Sequence, residues 1–218
     1  MCAKPDTTGL LADATYAVFH NEADTPVGYE YCRLYRRSDK GYWMTAELDL
    51  PFPRALYIEI RAGADWRIQS LDVRLSGRGT ECDRDASHRA DGDIWQATIQ
   101  TDEATVERAV PFGPEMGVDF EPVWLNTLAL NRLKLAPGQV RNVDAIRIEL
   151  PLLEPVSARL RYKCIGPERI TTPAGKWDAT HYVVSGNRHV WADARGIVVA
   201  TQQGKSRSRT LTEYHWLG

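Results

Sequence analysis

The sequence predicts a mainly β protein: one curved antiparallel sheet, a half-barrel of about ten to twelve strands, with a single mid-chain helix plugging its concave face. Three observations predict it. Apolar and polar residues alternate with the period of two that marks half-buried strands. Turn residues recur at hairpin spacing, at Ser38-Asp39-Lys40-Gly41, Ala62-Gly63-Ala64-Asp65, Asp91-Gly92-Asp93, Pro137-Gly138, Pro173-Ala174-Gly175 and Asp193-Ala194-Arg195-Gly196. Only one stretch, Glu121 to Leu133, carries helical periodicity.

From the N terminus, residues 1–12 are expected to form a flexible segment and residues 13–218 a single domain, because no linker, composition shift or repeat divides the chain. Tyr29, Tyr31 and Tyr35 share a strand face with Arg33 between them, either as ordinary cross-strand packing or as an aromatic surface. Leu56, Ile58 and Ile60 alternate with Tyr57, Glu59 and Arg61, which makes a strand with one apolar and one polar face. Between Trp66 and Leu75 the apolar phase shifts, from Trp66 and Ile68 to Leu71, Val73 and Leu75. That shift predicts a bulge near Gln69 and Ser70 which bends the strand, as the wall of a cavity requires.

In the helical segment Pro122 suits the first helical position, and Trp124, Leu125, Leu128 and Arg132 fall on one face. An open half-barrel must cover its concave apolar face, and this helix is the available cover. Beyond it, Ala158, Leu160, Tyr162 and Cys164 alternate with Arg159, Arg161 and Lys163, another half-buried strand. Near the C terminus Lys205, Arg207 and Arg209 place three cations on one strand face. Such a stripe either attracts a phosphate or carboxylate headgroup or protects an edge strand from aggregation.

Composition excludes several function classes. The 218 residues carry 27 basic and 29 acidic side chains, a net charge of −2, without the basic excess of a nucleic-acid binder. No apolar run approaches the ~20 residues of a membrane-spanning helix. The start, Met1-Cys2-Ala3-Lys4-Pro5, lacks the apolar stretch of a signal peptide, so a soluble, cytoplasmic protein is expected. The alternative is a lipoprotein anchored through Cys2, if Met1 stands where a signal was removed. Cys2, Cys32, Cys82 and Cys164 are scattered, with no C-x-x-C pair and no zinc spacing, and read as free thiols. Gly77-Arg78-Gly79 and Gly204-Lys205-Ser206 fail the spacing of phosphate loops, and there is neither a G-x-S-x-G elbow nor an H-E-x-x-H helix.

The candidate chemistry lies in a few side chains. His181 shares a strand stretch with Trp177, Ala179 and Val183, and is either a base near neutrality or a hydrogen-bonded core histidine. Glu59 and Arg61 either meet solvent or line a polar patch of a ligand cavity. Seven tryptophans and nine tyrosines against four phenylalanines favour aromatics with a polar handle, suited to cavities for sugar-like or lipid-like ligands.

The stretch Val118–Leu153 resembles the bacterial "putative glycolipid-binding" family, which has an acidic step, then N-T-L-P-I-R-R-L, then a proline-terminated strand. The corresponding residues are Gly117-Val118-Asp119-Phe120, Asn126-Thr127-Leu128-Ala129-Leu130-Asn131-Arg132-Leu133 and Glu149-Leu150-Pro151-Leu152-Leu153. Ala129 replaces the family's proline and Asn131 its arginine. A second stretch, Ile170-Thr171-Thr172-Pro173-Ala174-Gly175-Lys176-Trp177-Asp178-Ala179 followed by His189-Val190-Trp191-Ala192-Asp193 and Gly196-Ile197-Val198-Val199, resembles the hairpin series of half-barrels related to lipoprotein-localisation factors. These resemblances imply a half-barrel closed by a helix, with a pocket for an amphipathic molecule between them and with Asn126, Arg132 and Trp124 on the plug helix. The wider fold also includes a cofactor-free enzyme of violacein biosynthesis.

The leading expectation is a binding protein or carrier for a hydrophobic or glycolipid-like small molecule. Trp124, Trp66, Tyr57 and Trp191 would hold it, and Arg132, Arg61 or Asn126 would meet its polar end. The alternative is a small biosynthetic enzyme of isomerase, lyase or hydrolase type that transfers protons through His181 or Glu59 in the same cavity. Neither reading calls for a cofactor or metal. A third, an interaction domain without a pocket, predicts a packed interior. No feature of the sequence fixes an oligomeric state.

Overall fold

Long runs of alternating residues fold against their sequence neighbours through tight turns, and the result is an almost continuous meander. The computed structural model describes residues 7–20, 25–49, 54–77, 83–205 and 207–218. The strands are β1 (Thr7–His20), β2 (Gly28–Arg37), β3 (Tyr42–Asp49), β4 (Arg54–Ala62), β5 (Ile68–Gly77), β6 (Arg84–Asp91), β7 (Ile94–Gln100), β8 (Thr105–Pro111) and β9 (Gly117–Asp119). After the helix α1 (Val123–Leu133) come β10 (Val140–Glu149), β11 (Glu154–Thr172), β12 (Gly175–Val184), β13 (Arg188–Ala192), β14 (Val198–Gln203) and β15 (Arg207–Trp216). They form one open, curved sheet in the order β8-β7-β6-β5-β4-β3-β2-β1-β15-β14-β13-β12-β11-β10-β9. Every pairing is antiparallel except that of β9 with β10.

The sheet has 15 strands among the described residues, more than the turn punctuation predicts. Two of the reasons are physical. β9 is three residues long and shows no alternation to read. The β7–β8 connection, Thr101-Asp102-Glu103-Ala104, contains neither glycine nor proline; the Thr101 hydroxyl closes it instead, accepting from the amides of Glu103 and Ala104 at 3.3 and 3.1 Å. The bulge expected near Gln69 and Ser70 is present: Arg61 pairs with Ser70 and Ala62 with Ile68, leaving Gln69 as the extra residue. β1 opens at Thr7, inside the segment expected to be flexible, and Ala12 is fully buried between Leu34 and Trp216 in register. Cys2 and Cys82, with much of the two glycine-containing loops, lie outside the described residues. Cys32 and Cys164 are free and buried.

The concave face carries the core. Leu34, Met44, Leu48, Ile58, Ile60 and Leu71 fill it across β2 to β5, and α1 packs against it through Trp124, Leu125 and Leu128. The helix is buried on almost every side, not along one stripe: Val123, Trp124, Leu125, Asn126, Thr127, Leu128 and Leu130 are all buried. It ends where Lys134 takes a left-handed conformation (φ 47°) and its amide bonds back to Leu130 O. Its flank is stitched to the β13–β14 turn: Val198 N donates to the Thr127 hydroxyl at 3.2 Å, and Asn131 Nδ2 to Gly196 O at 3.3 Å. Gly196 is required there, because its φ is +76° and a Cβ would lie within 2.4 Å of the Asn131 carboxamide. At the far side of the sheet the open seam is bridged by Arg108 of β8 and Glu154 of β11, 2.7 Å apart.

One core histidine gives the fold a pH dependence. His88 is completely buried beneath Trp95, whose indole N–H donates to its Nδ1 at 3.2 Å. Burial pushes its pKa down to about 4. A base whose pKa is lowered by folding stabilises the protein above its unfolded value of about 6.5, and that contribution is lost as the pH falls towards the folded value. We expect urea unfolding to show a loss of about 3 kcal/mol between pH 7 and pH 4 from this residue alone. His88→Gln, which keeps an acceptor for Trp95 without titrating, flattens that part of the profile; an unchanged profile would refute the assignment.

Candidate functional site

α1 has no capping side chain of its own. The residue before it is Pro122, in an extended conformation. The cap arrives from β2: Glu30 Oε1 accepts the Val123 amide at 2.7 Å across 93 residues of sequence. A carboxylate at this position also faces the positive end of the helix dipole. Glu30 is itself fully buried, and Arg209 of β15 answers it, with Nε 3.0 Å from Glu30 Oε2. The geometry there makes this a contact of charges, not an aligned hydrogen bond. The same guanidinium donates to Glu121 Oε2 at 3.0 Å, and Arg207 joins it there. Burial raises the Glu30 pKa despite Arg209 and the Val123 amide. Burial acts on Glu121 in the same direction but is outweighed by Arg209 and Arg207, which hold its carboxyl below the usual range.

On the side of α1 that faces this network lies a cavity of about 600 Å³. Among the buried residues of β12 to β14, Val184 and Thr201 line it. The cavity is polar. Asp119, at the end of β9, accepts from both terminal nitrogens of Arg188 at 2.9 Å and from Arg147 Nε at 3.0 Å. Glu121, Arg207 and Arg209 form a second group in the lining, and Asn126 and Thr201 stand between the charges.

A smaller cavity of about 290 Å³ lies on the other side of β9, lined by Gly117 and Val118 where the larger one is lined by Asp119. Ile68, Phe112, Val118, Leu125, Leu128 and Val143 give it apolar walls, and Asp65, Glu115, Arg132 and Arg141 give it charged ones, so that its surface is about half apolar and half polar. Trp66 reaches it from a residue of positive φ (65°) and is held flat against Tyr42, their ring centroids 3.8 Å apart. Arg132 is pinned by donating to Met116 O at 2.8 Å and to Pro114 O.

The structure brings together some of the residues expected to form a site and separates others. Trp66 and Arg132 share the smaller cavity, and Asn126 lines the larger. Trp124 lies wholly in the core, its indole nitrogen without a hydrogen-bond partner. Tyr57, Glu59 and Arg61 occupy the face of β4 opposite the buried Leu56, Ile58 and Ile60. There Tyr57 donates to Glu59 at 3.1 Å, and burial together with Glu59 pushes the phenol up to about 12. His181 and Trp191 sit on the outer face of β12 and β13, rings stacked 4.7 Å apart, while Val190 and Ala192 point inward. Both His181 nitrogens are occupied, Nδ1 by Glu168 at 3.0 Å and Nε2 by His189 at 2.9 Å. Burial, with His189 beside it, lowers the His181 pKa against the pull of Glu168. Six strands separate β4 from β12, so Glu59 and His181 do not share a cavity. The cation stripe also resolves: β15 lies mid-sheet between β1 and β14, Lys205 is exposed, and Arg207 and Arg209 meet carboxylates of the protein itself.

Glu30, Asp119, Arg188 and Thr201 were not among the expected site residues. Two of them left a signal: Asp119 stands in the acidic step of the family resemblance, and Glu30 falls in phase with Cys32 and Leu34, the buried face of β2, where a carboxylate is out of place.

A single curved sheet plugged by one helix, with a cavity on either side of a short edge strand, is the class that fold and site define. Within it, the chain belongs to the family described as "Putative glycolipid-binding", whose model matches residues 22–207. It is similar to a DUF1089 family protein from Pseudomonas aeruginosa, whose crystal structure is 26% identical in sequence, with a TM-score of 0.55 over 78% of this chain and 87% of that chain. No curated protein matches it. No helix among the described residues is long and apolar enough to cross a membrane.

Because Glu30 both caps α1 and balances Arg209, removing it leaves the Val123 amide without its acceptor and Arg209 with Glu121 alone. Glu30→Ala should lower the unfolding free energy by about 3 kcal/mol in urea titration. Glu30→Gln, which restores the cap but not the charge, should fall between the two. A Glu30→Ala protein as stable as the parent would show that the network does not hold the helix.

Proposed function

We propose that the chain is a binding protein for an amphipathic, glycolipid-like small molecule, whose apolar part occupies the smaller cavity between Trp66, Phe112 and Leu128. The observation that carries this reading is the composition of that cavity: apolar walls of packed side chains with a few charged groups in the lining, beneath a helix that closes the sheet. A pocket whose surface is about half apolar and half polar suits a ligand that is itself divided into an apolar chain and a polar end. Membership of the family supports the same ligand class. Trp66, clamped on Tyr42, offers a flat apolar surface, and Arg132 and Arg141 offer positive charge to the polar end.

Calorimetric titration with n-octyl β-D-glucoside below its micelle concentration tests the reading. We expect saturable binding, weakened at least about tenfold in Ala129→Trp, a loss of about 1.4 kcal/mol, because the new indole fills the cavity. Absence of octyl glucoside binding, together with no amphiphile in an organic extract of the purified protein, would overturn it.

A further inference from the structure

The larger cavity holds polar groups for which the fold has no use. Its four arginines, Arg147, Arg188, Arg207 and Arg209, are balanced by four carboxylates, Asp119, Glu121 and Glu149 in the lining and Glu30 behind Arg209. Two neutral side chains have no such counterpart. Asn126 on α1 and Thr201 on β14 are each only 7% exposed, both line the cavity, and neither side chain has a hydrogen-bond partner among the described residues. Their polar atoms are not sealed off from the cavity, so what pairs them, water or a ligand, lies inside it. Asparagine is also a poor residue for a helix interior, so local structure does not account for it. The adjacent Thr127 shows the ordinary arrangement: its hydroxyl accepts the Val198 amide at 3.2 Å.

We propose that this cavity is a binding site for an uncharged saccharide, with Asn126 and Thr201 as its direct hydrogen-bonding residues. A carboxamide and a hydroxyl each donate and accept, which is what vicinal sugar hydroxyls require. The matched ion pairs on either side supply carboxylate acceptors and guanidinium donors at the rim without a net field that would select a charged ligand. An anionic sugar meets Asp119 and Glu121, which already occupy the arginines. The volume, about 600 Å³, lies within the range of small-molecule sites, about 300–1,000 Å³. The assignment goes beyond the reading of the smaller cavity and does not depend on an apolar chain occupying it.

The test is a ¹H–¹⁵N NMR titration of the full chain with methyl β-D-glucoside, methyl β-D-galactoside, methyl α-D-mannoside, maltose and trehalose, against glucose 6-phosphate and glucuronate. At least one uncharged sugar is expected to shift the Asn126 carboxamide, and the anionic sugars to bind at least about tenfold more weakly. Asn126→Ala and Thr201→Val should each weaken that sugar about tenfold, the scale of a lost hydrogen bond to a buried partner. Their melting temperatures should match or exceed the parent's, since neither removed group has a protein partner; a merely structural role would lower them. No shift with any uncharged sugar, tighter binding of the anionic ones, or unaltered sugar binding in both variants would overturn the proposal. Ala129→Trp, which blocks the smaller cavity, should leave the sugar shifts intact, so failure of the amphiphile reading is told apart from failure of this one. Loss of the shifts in that variant would overturn the assignment to the larger cavity.

Discussion

A carboxylate buried where no water reaches it is the constraint on which the rest of the structure depends. Glu30 stands on the inner face of β2, caps a helix that has no cap in its own sequence, and is balanced by an arginine from β15. Removing a charge from water is costly, and the cost is offset only where every facing group is in place. β2, β15, Glu121 and the first turn of α1 are therefore fixed relative to one another by a single set of contacts. The position of α1 in turn decides what remains empty beside it.

What remains empty is divided unequally. Across β2 to β5 the inner face is filled by large aliphatic side chains, and the core there is closed. Across β12 to β14 the inner face carries Val184 and Thr201 in the lining of a polar cavity near the N-terminal end of the helix. The three-residue β9 acts as a partition, with Val118 facing the apolar space and Asp119 the polar one.

Much of the fold was legible in the sequence. All six turn signals fall at turns, the phase change after Trp66 is a real bulge at Gln69, and the one helix lies where the 3.6-residue pattern places it, beginning at Val123 and not at Glu121. The site was legible only in part. Trp66, Asn126 and Arg132 line the two cavities beside α1, Tyr57 and Glu59 line a separate one of about 520 Å³ with Asp72 and Arg74, and Arg61, His181 and Trp191 lie on other surfaces. The reason is that strand alternation tells which residues share a face but not which face is concave. The polar network escaped for a different reason: Glu30 and Arg209 are joined across the chain's full length, and no local pattern announces a partner so distant. Trp124 was misleading because a helix buried on nearly every side spends its largest residue on packing.

The order of strands in the sheet has a consequence for how the molecule is made. Every strand but β9 lies beside the strand that precedes it in sequence. The pairing that joins distant strands is β1–β15, at the centre, which closes a loop of most of the chain and must meet the largest entropic cost of any contact. Because Arg209 belongs to β15, the buried carboxylate stays unanswered until that last strand emerges from synthesis. The two wings of the sheet can thus be complete while the interior is still unsettled, and the closing step of folding is also the one that creates the pocket.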